Sequence, residues 1–138
     1  MSIIIKGNIM NKRLMLLSML ALLGATPAVL AAPVPSSVEV QQAATLRSQG
    51  ALLLDVREPG EFAEVHAQGA KLIPLGQLPS RLKEIAQYKY QPVAVICRSG
   101  RRSAQGADIL RNAGFTQVAN VEGGTNAWVN AGLPVDRN

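Results

Sequence analysis

The stretch Val93-Ala94-Val95-Ile96-Cys97-Arg98-Ser99-Gly100-Arg101-Arg102-Ser103 decides how this 138-residue chain folds. Four consecutive apolar residues, Val93 to Ile96, read as a strand buried on both faces. A cysteine, a glycine and three arginines follow. From Ser103 the pattern is helical as far as Gly114, a natural helix stop. Working outward, residues 51–56 repeat the buried-strand signature, and residues 71–73, 117–121 and 38–40 are weaker strand candidates. Helical patterns occupy residues 42–49, 78–88, 103–113 and 125–131, the last ending at Gly132 before Pro134. Strands alternating with helices predict an α/β fold of three layers, with a mostly parallel, about five-stranded central sheet and helices on both faces. Such sheets bind ligands at the carboxyl ends of their strands, which directs attention to the segment after Ile96.

The first 31 residues read differently. Lys6, Lys12 and Arg13 precede an unbroken run of apolar and small residues over 14–25, too short for a membrane span of roughly 20 residues. Val29 and Ala31 then supply the small or compact residues that a signal peptidase reads. Residues 1–31 are therefore expected to be a cleaved secretory signal, and the protein periplasmic. Met10, followed by Asn11-Lys12-Arg13, is itself able to begin such a leader. Residues 32–37, with two prolines and two serines, form a loose lead-in, and residues 38–138 form the domain. Of the 14 basic residues three lie in the leader, so the mature chain carries 11 against 9 acidic ones. Three of the 11 are the loop arginines, leaving no spread basic face for nucleic acid, and few aromatics to stack on bases. No membrane insertion of the mature chain is expected.

Cys97 is the only cysteine and His66 the only histidine. They cannot build a four-ligand zinc site, and neither a metal nor another cofactor is expected. In an oxidising compartment a lone cysteine is either a buried inert thiol or a reactive one. The inert reading leaves three arginines and a glycine directly after the cysteine unexplained. The reactive reading accounts for them. Cys97 faces a helix N-terminus, whose free N–H groups and partial positive charge favour an anion, but whose dipole contributes at most about 2 kcal/mol. Arg101 and Arg102 are expected to supply the rest and to draw the thiol toward thiolate. Gly100 lets the loop curl so that successive N–H groups point inward as an anion nest.

Cys97 to Ser103 resembles the active-site loop of the rhodanese family, and the resemblance runs over about residues 38–134. It includes Leu54-Asp55-Val56-Arg57-Glu58 with Glu61-Phe62, then His66, Gly69-Ala70, Ile73-Pro74, and Glu122-Gly123-Gly124 with Ala127-Trp128. The chain departs from the family pattern at Val65-His66-Ala67, commonly Gly-His-Ile, and at Leu72, commonly Asn. In size and export it is similar to the small phage-shock-type members. The resemblance implies a thiosulfate sulfurtransferase working by ping-pong transfer. Cys97 takes the outer sulfur of a small anionic donor as a persulfide, held by the backbone of Arg98, Ser99, Gly100, Arg101 and Arg102, and a thiol or cyanide acceptor removes it. Asp55 and Arg57 would brace the site, with Ser103 in support; a surface ion pair with Glu58 or Glu61 is the plain alternative for Asp55 and Arg57. The family's geometry places His66 at the surface in a structural or solvated role, and Trp128 reads as core. The chain is expected to act as a monomer. The rivals are a sulfur carrier that docks to a specific partner, and a rhodanese-like arsenate reductase or cysteine phosphatase. A phosphatase loop carries arginine six residues after the cysteine, where this chain has Ser103.

Overall fold

The computed structural model describes residues 32–138, so the leader read over residues 1–31 lies outside the described residues. In chain order the elements are β1 (Ser37–Val38), α1 (Val40–Ser48), β2 (Leu52–Asp55), α2 (Pro59–Glu64), β3 (His66–Ala67), β4 (Lys71–Leu72), two 3-10 segments (Leu75–Ser80 and Leu82–Tyr88), β5 (Val93–Ile96), α3 (Arg101–Asn112), β6 (Val118–Val121), α4 (Gly124–Asn130) and β7 (Val135–Asp136). Five strands form one sheet in the order β1-β6-β5-β2-β4, every pair parallel. β3 and β7 pair antiparallel as a separate two-stranded patch.

The all-apolar strands make a three-layer core. Leu52 and Leu54 of β2 and Val93 and Val95 of β5 face one side, where they pack with Ala107 and Leu110 of α3 and with Leu78 and Ile85 of the 3-10 segments. Leu53, Ala94 and Ile96 face the other side, with Val40 and Ala43 of α1 and Trp128 of α4. Alternate side chains of a strand point to opposite faces, so a strand covered on both faces must be apolar throughout. The expected α/β architecture, with helices on both faces, is the one observed.

Four details differ from the expectations. Residues 78–88 are not one α-helix but two 3-10 segments, because Pro79 lacks an N–H to donate and Ile85 interrupts the second with non-helical angles. The lead-in over residues 32–37 is not wholly loose. Ser37 belongs to β1, the Ser36 carbonyl accepts the Asn120 N–H at 2.9 Å, and Val34 packs on the core. Val40, read as strand, starts α1. The short helix α2 was not expected at all. Among the described residues no helix is long and apolar enough to cross a membrane.

Trp128 is core, as expected: it is buried, and its indole N–H donates to the Pro134 carbonyl at 2.8 Å. Trp128→Ala is expected to remove about 3–5 kcal/mol of stability, read as a lower urea midpoint at unchanged slope.

Candidate active site

The next strand of the sheet after β2 is β4, on one side of it, and the next after β5 is β6, on the opposite side. The crevice between β2 and β5 is therefore the topological switch point, where open parallel sheets place their ligands. Asp55 pairs in register with Ile96, and the Val56 N–H donates to the Ile96 carbonyl at 3.0 Å. That register puts Asp55-Val56-Arg57 and Cys97-Arg98 side by side at the carboxyl edge.

Cys97 is buried, and its Sγ accepts two hydrogen bonds: the Gly100 N–H at 3.1 Å and the Ser103 hydroxyl at 3.2 Å. Burial pushes the thiol pKa up. The Ser103 hydroxyl and the backbone N–H groups of Ser103, Gly100 and Ser99 pull it down and prevail, leaving it below the ordinary thiol value. The thiolate is thus stabilised chiefly by neutral donors, whereas the sequence pointed to guanidinium charge. Ser103, expected in a supporting role, is a direct partner of the sulfur. Arg98, Ser99 and Arg101 are exposed. Arg102 binds Glu61 through both guanidinium nitrogens, at 2.7 and 2.8 Å, and adds a weaker attraction to Cys97 and Asp55.

The loop is braced from α4 and from β6, and the Asp55–Arg57 pair lies at the neighbouring strand end. Asp55 and Arg57 form a buried pair rather than a surface one. The Arg57 side chain donates to the Asp55 carboxylate at 2.7–3.0 Å and to the Val65 carbonyl at 2.9 Å, and the Arg57 N–H donates to Asp55 Oδ1 at 3.0 Å. From α4, Gly124 lies so close to the loop that an added Cβ would meet the Cys97 carbonyl oxygen at 2.5 Å and the Arg98 carbonyl carbon at 2.6 Å. The Thr125 N–H and hydroxyl donate to that Cys97 carbonyl at 2.8 and 3.0 Å, and the Asn126 N–H donates to the Arg98 carbonyl at 3.1 Å. From β6, the Asn120 side-chain amide donates to the Gly100 carbonyl at 3.1 Å.

Sequence reasoning missed Asn120, Glu61 and Thr125 as parts of this site. Asn120 was visible as the one polar residue within Val118-Ala119-Asn120-Val121. The pairing of Glu61 with Arg102, 41 residues away, left no local signal. His66 is buried rather than on the surface: its Nδ1 lies 2.7 Å from the Phe62 carbonyl, and its ring stacks on Phe62 at 3.7 Å.

Residues 39–131 match the family model described as a rhodanese-like domain. The chain is 39% identical over 111 residues to thiosulfate sulfurtransferase 16, chloroplastic, of Arabidopsis thaliana, covering 73% of this chain and 92% of that protein. It is 38% identical over 88 residues to a sulfurtransferase of Allochromatium vinosum, covering 64% of this chain and 80% of that one. Among solved structures, a rhodanese with anions from E. coli superposes with a TM-score of 0.57 at 31% identity, over 64% of this chain and all of that one.

Two outcomes are expected from this geometry. Ser103→Ala removes one of the two donors to the Cys97 sulfur, so the pH midpoint for alkylation of Cys97 by iodoacetamide should move upward; an unmoved midpoint would show that the hydroxyl does not stabilise the thiolate. Arg102 holds the Glu61 carboxyl well below the usual carboxylate range, at about 2. A lowered carboxylate pKa stabilises the fold above its unfolded value, and the contribution fades as pH falls toward the folded one. The stability advantage of the wild type over Glu61→Gln should accordingly be full at neutral pH and shrink between about pH 4.5 and about pH 2, followed by urea unfolding across that range.

Proposed function

The chain belongs to the rhodanese-like family of sulfurtransferases, and from that premise we propose that it takes the outer sulfur of thiosulfate, or of a similar small anion, onto Cys97 and passes it on from a Cys97 persulfide. The observation that carries this reading is the buried Cys97 Sγ, met by the Gly100 N–H and the Ser103 hydroxyl, with its pKa below the ordinary thiol value. A thiolate held ready in this way needs no separate base. It attacks the outer sulfur of thiosulfate, the S–S bond of the donor breaks, and sulfite leaves with the electron pair. The persulfide that remains is itself an anion, suited to the N–H groups of the loop from Arg98 to Arg102. An acceptor thiolate or cyanide then attacks the outer sulfur and Cys97 leaves as thiolate.

Exposed Arg98 and Arg101 suit the approach of a dianion. The E. coli neighbour described as a rhodanese with anions agrees with an anion-binding loop. At the position where a cysteine phosphatase carries arginine, Ser103 spends its hydroxyl on the sulfur, which favours sulfur over phosphoryl chemistry. We place the reaction in the periplasm on the strength of the leader over residues 1–31.

Treatment with thiosulfate should add one sulfur, about 32 Da (an atomic mass), to the peptide holding Cys97, and cyanide or a small thiol should remove it. Cys97→Ser should show neither step, since a hydroxyl without a paired base is a far weaker nucleophile. A protein that gains no sulfur from free thiosulfate but accepts it from one partner protein would be a dedicated carrier. Cys97-dependent hydrolysis of an aryl phosphate without sulfur gain would make it a phosphatase.

A further inference from the structure

A cavity of about 410 Å³ opens between the end of α2 and α4, beside the cysteine loop. Its wall carries Glu64 and Val65 from one side, Asn126, Val129 and Asn130 from the other, and Arg98, the residue directly after the nucleophile. The charges on this wall are of two kinds. Arg57 and Glu61 also reach it, but each is spent, Arg57 on Asp55 and Glu61 on Arg102. The Arg98 guanidinium and the Glu64 carboxylate, among the described residues, have no ion-pair partner and do not pair with each other. Arg137 approaches Glu64 only through its backbone, donating to the Glu64 carbonyl at 3.1 Å. A donor such as thiosulfate has no use for a free carboxylate; a second anion nearby opposes it. A molecule bearing both an ammonium and a carboxylate uses both walls, with carboxamides to accept and donate and Val65 and Val129 as apolar sides. The volume lies in the range of small-molecule sites.

We propose that this cavity is the acceptor subsite, and that it selects a zwitterionic aminothiol of the cysteine type: the α-carboxylate on Arg98, the ammonium on Glu64, and the thiol turned toward Cys97. The proposal rests on the persulfide reading above and names the acceptor for it. The acceptor thiolate bonds to the outer sulfur of the Cys97 persulfide, the Cys97 S–S bond breaks, and the electron pair returns to Cys97 as thiolate, so that the acceptor leaves as a persulfide with no net oxidation or reduction.

The test loads Cys97 with thiosulfate and follows loss of the sulfur by intact mass, with cysteine or with 3-mercaptopropionate, which keeps the carboxylate and thiol but lacks the ammonium. Glu64→Gln should lower the preference for cysteine over 3-mercaptopropionate about three- to tenfold, the value of a charge-assisted contact discounted for an open site. Taking wild type and variant as a ratio cancels the different reactivity of the two thiols. Loading by thiosulfate and discharge by cyanide should not be impaired in Glu64→Gln, since that variant only removes a carboxylate that opposes an anion. An unchanged preference overturns the proposal, and so does impaired loading, which would assign the cavity to the donor. If the wild type takes no sulfur from thiosulfate, the functional reading fails on its own, and the subsite is tested by protection instead. L-alanine, with the same two charges and no thiol, should slow alkylation of Cys97 by iodoacetamide in the wild type and not in Glu64→Gln; equal rates in both would overturn the subsite.

Discussion

The hydrogen bond from the Gly100 N–H to the Cys97 sulfur exists because the chain turns left-handed at Gly100, with φ of 108°, before entering α3. A side chain at that position would be strained, and the loop could not fold its N–H groups back over the sulfur. The rest of the site serves this turn. A thiolate at the end of a core strand has lost its water, and desolvation alone would keep it protonated. Short-range donors on a fixed backbone offset that cost without bringing a full charge into the interior. The Gly100 carbonyl is held by Asn120, and the carbonyls of Cys97 and Arg98 are held by α4, which fixes the direction of the loop's donors. This is preorganisation in the sense relevant to catalysis, since no reorientation is left to the moment of reaction.

Two ion pairs lie beside the cysteine loop, one buried and one half-buried. Asp55 and Arg57 lie in the sequence Asp-Val-Arg, whose spacing lets the arginine fold back on the aspartate and still reach the Val65 carbonyl beyond α2. Glu61 accepts the Glu58 N–H at the start of α2 and Arg102 from the start of α3. One carboxylate therefore links the helix on one wall to the helix that follows Cys97. Removing a single partner from a buried pair leaves an uncompensated charge, which is far more damaging than the modest net value of the intact pair suggests.

The parts of the fold that the sequence disclosed are those with a short-range cause. Val93–Ile96 was legible to the residue because a strand covered on both faces has to be apolar throughout. The cysteine loop was legible because lone thiol, glycine and cationic residues are contiguous. The helix α2 escaped notice: it is six residues long, opens with Pro59-Gly60, and buries none of its residues, so it carries no apolar stripe. The role of the arginines was misjudged for a related reason. Charge can be counted along a chain, but Arg102 meets Glu61 across 41 residues, and only the fold shows that its charge is already matched. Asn120 sits in a strand whose pattern is otherwise hydrophobic, and a single polar residue there says that something is held without saying what.

The order of strands has a temporal side. β1, the first strand of the sheet, has β6 as its one neighbour among the described strands, and the Ser37 hydroxyl reaches Glu122 across 85 residues. The contacts that shape the cysteine loop likewise come from Asn120 and from Gly124 to Asn126, downstream of it. Closing loops of this length costs entropy before any contact returns it, which makes parallel sheets slow to form. A chain emerging from its N-terminus therefore carries an unshielded Cys97 and an unpaired β1 edge until nearly all of the domain has appeared. The carbonyls of Cys97, Arg98 and Gly100 are held by residues 120–126, so the shape of the loop is completed by chain that follows it.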